Sequence, residues 1–375
     1  MQYLFENTQL PNRTLIRGDN LEEMRKIPDN VVALIATDPP FNSKRNYFVP
    51  YRDEHGKAPD TLVKAFTDTW KWGDAAEAAC EELICEVGGA IGETIEGLQN
   101  FLKQTPMMAY LAMMGIRLVE MHRILKPTGS IYLHCDAAAN HYLKILMDAV
   151  FGPNNFKNEI VWCYDSSGRS RNTFSKKHDV IYFYAKSAVC NFNGYRVPHS
   201  AEELERDYRY YDESGRRYRT SRAGGKVYRY YADEGKMAND WWVLPTLNST
   251  DAERAGYPTQ KPIALYKRII EASSNEGDLV LDPFCGCGTT LLAAEGLNRQ
   301  WLGIDLTYLA VETFTLRVEK LFPHIKDSVT IIATAKNINT ALQHQDRENP
   351  PTDVYEKETS VHPWPHSNRQ NGDSD

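Results

Sequence analysis

The chain predicts an α/β fold built on a mostly parallel sheet. Short apolar runs of strand length alternate with longer stretches at helical spacing. Two proline-containing motifs, Asp38-Pro39-Pro40-Phe41 and the string from Asp282 to Thr290, each follow directly on such a run. In open parallel sheets, ligands bind where strands end.

The candidate strands, in order, are Thr14 to Arg17, Val31 to Ala36, Ser130 to Cys135, Glu159 to Cys163, Val180 to Tyr184, Leu279 to Leu281 and Trp301 to Ile304, with Val329 to Ala333 as a further one. Helical spacing runs over Met107 to Leu125, Asn140 to Val150, Ile263 to Ala272 and Thr289 to Leu297. The first of these stops at Lys126-Pro127-Thr128-Gly129, a breaker. At 375 residues the chain can bury a full core.

The net charge of -7 argues against a generally basic nucleic-acid binder but leaves room for a local basic surface. The seven cysteines are scattered. Cys285 and Cys287 have neither a second pair nor a nearby His to complete a zinc site, so no metal is expected and the pair reads as small residues in a tight turn. No apolar run approaches the roughly 20 residues that span a bilayer, so no membrane partner is expected. The first six residues are too short and too charged for a signal peptide, and a cytoplasmic location is expected.

Two segments depart from this composition. From Asp74 to Glu96 there are seven acidic residues and no Lys or Arg, which reads as a solvated helical face. From Arg206 to Tyr231, eight Lys/Arg stand against three acids, with seven tyrosines interleaved. After about Gln343 the chain turns polar, as a disordered tail does.

Strand, Asp282-Pro283-Phe284, Gly286-x-Gly288 and then a helix from Thr289 is a cofactor-binding arrangement. Glycine lets the backbone pass close to a ligand, and Asp282 can accept from an ammonium group. Leu291 stands where the dinucleotide fingerprint would have its third glycine, and the lysine of a P-loop is missing. Asp305 ends the next strand, where an acid takes ribose hydroxyls. Ammonium plus ribose without a phosphate-gripping lysine favours S-adenosylmethionine.

Asp38-Pro39-Pro40-Phe41 suits an exocyclic amine, whose lone pair is delocalised into its ring. A carboxylate and a backbone carbonyl placed on the amine hydrogens localise that pair. The prolines stiffen the turn, and Phe41 offers a face for the base. Such a base has to leave the duplex stack to react.

Together with Gly18-Asp19, Leu125 to Ser130 and Tyr257 to Pro262, these motifs resemble the beta group of amino DNA methyltransferases, which modify adenine N6 or cytosine N4. The resemblance covers about residues 13 to 325. It implies a Rossmann-like S-adenosylmethionine-dependent methyltransferase fold with a circularly permuted, seven-stranded, mostly parallel sheet, helices on both faces and an inserted target-recognition region. Residues 1–186 would form the catalytic half with a helical acidic insertion at about 74–104. Residues 187–245 would read the target, 246–340 would form the cofactor half, and 341–375 a tail.

The resemblance gives Asp38 and the Pro39 carbonyl the target amine and Phe41 the flipped base, with Pro40 stiffening the turn. Asp282, Pro283, Phe284, Gly286, Gly288 and Thr289 would line the cofactor. Asp305 would take its ribose, Asp19 its adenine, and Thr259 and Lys261 its carboxylate. Phe41 stands where the group often has Tyr.

Duplex DNA is the implied partner, read by Arg209, Arg216, Arg217, Arg219, Arg222 and Arg229. Lys44, Arg45, Arg169, Arg171 and Lys176 would extend a basic track around the pocket. The resemblance also raises a homodimer and a cognate restriction enzyme as partners. Adenine N6 is favoured over cytosine N4 because the motif opens with Asp rather than Ser. A structured-RNA methyltransferase and a non-catalytic DNA-binding relative are the remaining alternatives.

Overall fold

Parallel strand order, more than any single helix, sets where this chain can do chemistry. The computed structural model describes residues 12–50, 62–165 and 170–333. Arg169, the Arg45 side chain and the expected tail lie outside what is described.

In chain order the strands are β1 (Thr14–Arg17), β2 (Val32–Thr37), β3 (Arg45–Pro50), β4 (Leu62–Asp68), β5 (Leu125–Cys135), β6 (Phe156–Cys163), β7 (His178–Ala185) and β8 (Arg196–Val197). There follow β9 (Tyr210–Tyr211), β10 (Arg217–Ala223), β11 (Lys226–Tyr231), β12 (Lys236–Met237), β13 (Trp241–Val243), β14 (Leu279–Asp282), β15 (Gln300–Asp305) and β16 (Thr330–Ala333). One sheet has nine of them, in the order β13-β6-β7-β5-β2-β14-β15-β1-β16.

Only β7 in this sheet runs antiparallel to its neighbours. The seven expected strands become nine because short β13 and β16 extend the two edges. Both are three or four residues long and partly exposed. β16 falls on the further strand expected at Val329 to Ala333, whereas β13 is too short and too exposed to leave a clear periodic mark in a sequence.

The early and late parts of the chain interleave. β2 pairs with β14 in parallel, Leu34 opposite Val280 and Ile35 opposite Leu281. The sheet is covered on both faces, as a parallel sheet needs to be. On one face, Ile35, Ile131 and Leu133 pack under helices Gly89–Leu102, Pro106–Ile124 and Asn140–Phe151. On the other, Leu34, Tyr132 and Val280 pack under helices Ile263–Ser273, Thr289–Glu295 and Tyr308–Leu321. Alternate residues of one strand thus feed two cores, which follows from the two-residue period of a strand.

The acidic insertion is helical. Helix Asp74–Glu81 and helix Gly89–Leu102 are joined by a π-helical turn, Glu82–Val87. Cys80, Leu83, Ile91, Ile95 and Leu98 enter the core, and Asp74, Glu77, Glu81, Glu86, Glu93 and Glu96 stay exposed. Its charge run is the solvated face of a packed amphipathic element.

Candidate active site

The β2–β14 pairing brings the two proline motifs together at one sheet edge. Thr37, the last residue of β2, donates its hydroxyl to the Asp282 carboxylate at the end of β14, at 2.7 Å. Asp38 follows Thr37 directly, so the two acids are neighbours on adjacent strands.

Both oxygens of Asp38 are engaged. Oδ1 lies 2.7 Å from Nδ1 of His134, which comes from β5, the strand on the other side of β2. Oδ2 accepts from the Lys261 ammonium. The far ring nitrogen of His134, Nε2, is 3.4 Å from Asp179 at the start of β7.

The Phe41 ring meets His134 edge-on at 5.2 Å between centroids, and Lys261 Nζ sits 5.1 Å from the Phe41 centroid. His134 is 3 % exposed, Lys261 12 % and Asp38 15 %, so the cluster is sheltered but open on one side. Burial pushes the Asp38 carboxyl up, but the Lys261 ammonium and the His134 ring outweigh it and hold the carboxyl below its ordinary value. Burial pushes the His134 ring down, and the charge of Asp38, with help from Asp179, lifts it above its ordinary value.

The loop after Phe41 is held by one buried carboxylate. Asp68, at the end of β4 and 1 % exposed, accepts from the backbone N–H groups of Phe41 (3.2 Å), Asn42 (2.7 Å) and Ser43 (2.8 Å), and from Trp70 Nε1 (3.3 Å). Asn42 and Lys44 take left-handed backbone, at φ 61° and 60°. Such residues persist where surrounding bonds over-determine them. Asp68 supplies those bonds and so sets where Phe41 stands.

The glycine turn begins at the end of β14. Besides Thr37, Asp282 accepts from the Thr290 hydroxyl (2.6 Å) and the Phe284 N–H (3.1 Å) and is 2 % exposed. Burial pushes it up to about 7 against the effect of those bonds. Asp305, at the end of β15, accepts from Gly286 N–H and from the Thr307 N–H and hydroxyl, each at 2.9 Å. Burial raises it as well.

A family model described as DNA methylase, of the N6/N4 class, matches residues 32–315. The chain belongs to the DNA methylase family. It is 30% identical over 300 residues to DNA adenine methyltransferase YhdJ of Escherichia coli (strain K12), covering 78% of each chain. It is 27% identical over 315 residues to Type II methyltransferase M.HpaI of Haemophilus parainfluenzae, covering 83% of this chain and 76% of that one. Among solved structures, PvuII DNA methyltransferase (cytosine-N4-specific) shares the fold, with a TM-score of 0.50 at 14% identity, covering 86% of this chain and 95% of that one.

Several residues of this methylase expected to touch a cofactor make bonds within the protein. A Cβ on Gly288 (φ 74°) would lie 2.2 Å from the Phe314 ring, so this glycine is demanded by packing. Thr289 is buried and accepts from Arg317 at 2.9 Å. Asp282 accepts from Thr37, Thr290 and Phe284 and is shut off from solvent. The Pro283 carbonyl accepts from Asn20 at 2.7 Å.

Asp19 caps helix Asn20–Met24 and pairs with Arg117 at 3.0 Å. Lys261 is ion-paired to Asp38. Thr259, exposed at φ 61°, lends its carbonyl to the Lys261 ammonium at 3.4 Å. Left towards solvent at this edge are half-buried Phe284 and Asp305, then Leu306 (58 % exposed) and Tyr308 (64 %).

The tyrosine- and arginine-rich segment is an antiparallel ribbon, β10 against β11, with β9 beside it. Its residues are mostly exposed on both faces. Arg219 stacks over Tyr230 at 5.1 Å and Arg229 over Tyr218 at 5.0 Å, and Arg222 is exposed. Arg209 is exposed and donates to the Arg206 carbonyl.

Arg216 is exposed but ion-paired, and Arg217 is half-buried. Arg216 is forked onto Asp233 at 2.9 Å and lies over Tyr231, while Arg217 donates to the Leu204 and Tyr208 carbonyls. Lys44, Arg171 and Lys176 are exposed.

Reading the sequence missed His134, Asp179 and Asp68. His134 had a signal, a lone ionisable side chain near the end of an otherwise apolar candidate strand. The other two had none, because their roles depend on β4 and β7 folding back to the same edge.

Two outcomes follow for these buried acids. The folded value of Asp282 stands above the unfolded value of about 3.9, so the folded chain binds extra proton between them and loses stability as pH rises from about 5 towards 7. Urea unfolding across that range should show the decline, and Asp282→Asn should flatten it; an equal slope in both proteins would exclude Asp282 as its source. Asp68→Asn turns an amide N–H towards the loop's own N–H groups and should cost ~1–3 kcal/mol in urea unfolding, with methyl transfer falling about tenfold. Unchanged unfolding and turnover would show the clamp to be idle.

Proposed function

We propose that the chain is a site-specific DNA methyltransferase that moves a methyl group from S-adenosylmethionine to the exocyclic N6 of an adenine flipped out of duplex DNA. The observation that carries this reading is an Asp38 carboxylate kept ionised between Lys261 and His134, beside Phe41 and one strand from the glycine turn. The name of the Escherichia coli relative supports adenine, as does the Asp that opens the catalytic motif.

The open edge suits the methyl donor. Asp305 uses three acceptor positions, and a carboxylate has about four, which leaves one for a ribose hydroxyl. Leu306, Tyr308 and Phe284 offer apolar surface to an adenine ring. When bound, S-adenosylmethionine supplies an electrophilic methyl on a sulfonium.

Asp38 and the Pro39 carbonyl accept the two amine hydrogens and return lone-pair density to the nitrogen. Taking the methyl would make that nitrogen cationic until it sheds one of its two hydrogens as a proton. An ionised Asp38 stabilises that growing charge, and a fixed carboxylate needs no reorganisation to do so. Phe41 holds the base plane. The basic ribbon provides phosphate and base-edge contacts through Arg209, Arg219, Arg222 and Arg229, and a two-stranded ribbon is of a size that enters a major groove.

Base-resolved sequencing of DNA incubated with the purified protein should show N6-methyladenine at one short motif. Asp38→Ala should lose that signal while still binding S-adenosylmethionine. N4-methylcytosine in its place would overturn the choice of base, and methylation that survives Asp38→Ala would overturn the role of the carboxylate.

A further inference from the structure

The two strand ends that bound the β6–β7 loop lie beside the catalytic edge. Cys163, which ends β6, pairs with His178, which opens β7, and the next residue, Asp179, is the one that reaches His134. The Tyr164 N–H donates to the Lys177 carbonyl at 3.0 Å and closes the base of the loop. Trp162, one residue before the end of β6, lies 5.6 Å from the His134 ring. The loop base is therefore two side chains away from Asp38.

Its far part is a small self-bonded turn. The Ser170 N–H donates to the Ser175 hydroxyl at 3.0 Å, the Thr173 N–H donates to the Ser170 hydroxyl at 3.1 Å, and the Ser170 and Thr173 hydroxyls are 2.8 Å apart. On this turn Phe174 is 100 % exposed. Arg171 and Lys176 flank it, both exposed and without a carboxylate partner among the described residues. An apolar ring held out on a turn between two cations, on a loop whose base adjoins the catalytic edge, has the chemistry of a wedge. Its ring can fill a base step while the cations meet the phosphates on either side.

We propose that Phe174 enters the duplex at the target step and occupies the space the flipped adenine leaves, with Arg171 and Lys176 gripping the adjoining phosphates. This rests on the duplex-DNA reading above. Phe174 touches no reacting atom; it holds the open state of the DNA. Its contribution therefore scales with the cost of unstacking, which is smallest where the target is already unpaired.

Single-turnover methylation separates this from a general binding role. The probes are two duplexes carrying the motif mapped for the wild-type protein, one fully paired and one with an abasic site opposite the target adenine. Phe174→Ala should lose about tenfold or more on the paired duplex and little on the abasic one. 2-Aminopurine at the target should brighten less with the variant on paired DNA, and Phe174→Trp should restore much of the rate.

Equal losses on both duplexes, or no loss on either, would overturn the wedge. Because the side chain is fully exposed, the variant should keep the wild-type melting temperature; a collapse of the fold would equally overturn it. Failure of the wild-type protein to methylate any duplex would instead overturn the reading on which the wedge rests.

Discussion

Asp38 has to be sheltered enough to meet a base out of water and charged enough to draw on the hydrogens of an amine. Those demands oppose each other, because burial favours the neutral acid. Lys261 and His134 resolve the conflict from two sides, one on each carboxylate oxygen. Lys261 comes from the late part of the chain and His134 from β5, so the charge state of Asp38 depends on the whole sheet closing. The early strand that ends in Asp38 is flanked by an early strand and a late one, so both parts of the chain meet at this carboxylate.

The second motif contributes in a less direct way than its glycines imply. Gly288 is small because Phe314 lies against it, and Thr289 sits on a buried Arg317 that also donates to the Cys287 carbonyl. Asp282 joins β14 to the end of β2 and to helix Thr289–Glu295 through two threonine hydroxyls. The motif thus fixes the angle between the catalytic turn and the cofactor edge. What faces outward is carried by its neighbours, Phe284, Asp305, Leu306 and Tyr308.

Local pattern made the fold class legible. The apolar runs that became β1, β2, β5, β7, β14 and β15 were readable because each is buried on both faces. Short β13 and β16 left weaker traces. Asp38, Phe41 and the neighbouring Asp282 were readable because proline and glycine punctuate them. Lys261 was legible as a site residue, but its ion pair with Asp38 was not, since nothing local says which anion an ammonium will choose. The same holds for the pairing of Arg216 with Asp233 and for the bonds of Arg217 to backbone carbonyls. Partners across long sequence separations are settled by packing, and no local pattern encodes them.

The most direct measurement is the pH dependence of single-turnover methyl transfer by the wild-type protein and by Lys261→Gln. With the ammonium in place, Asp38 stays ionised down through the ordinary carboxylate range, so the acid limb of the rate should lie below that range. Without it, burial should dominate and carry the acid limb upward. Superimposable acid limbs in the two proteins would contradict a catalytic carboxylate held ionised by its lysine.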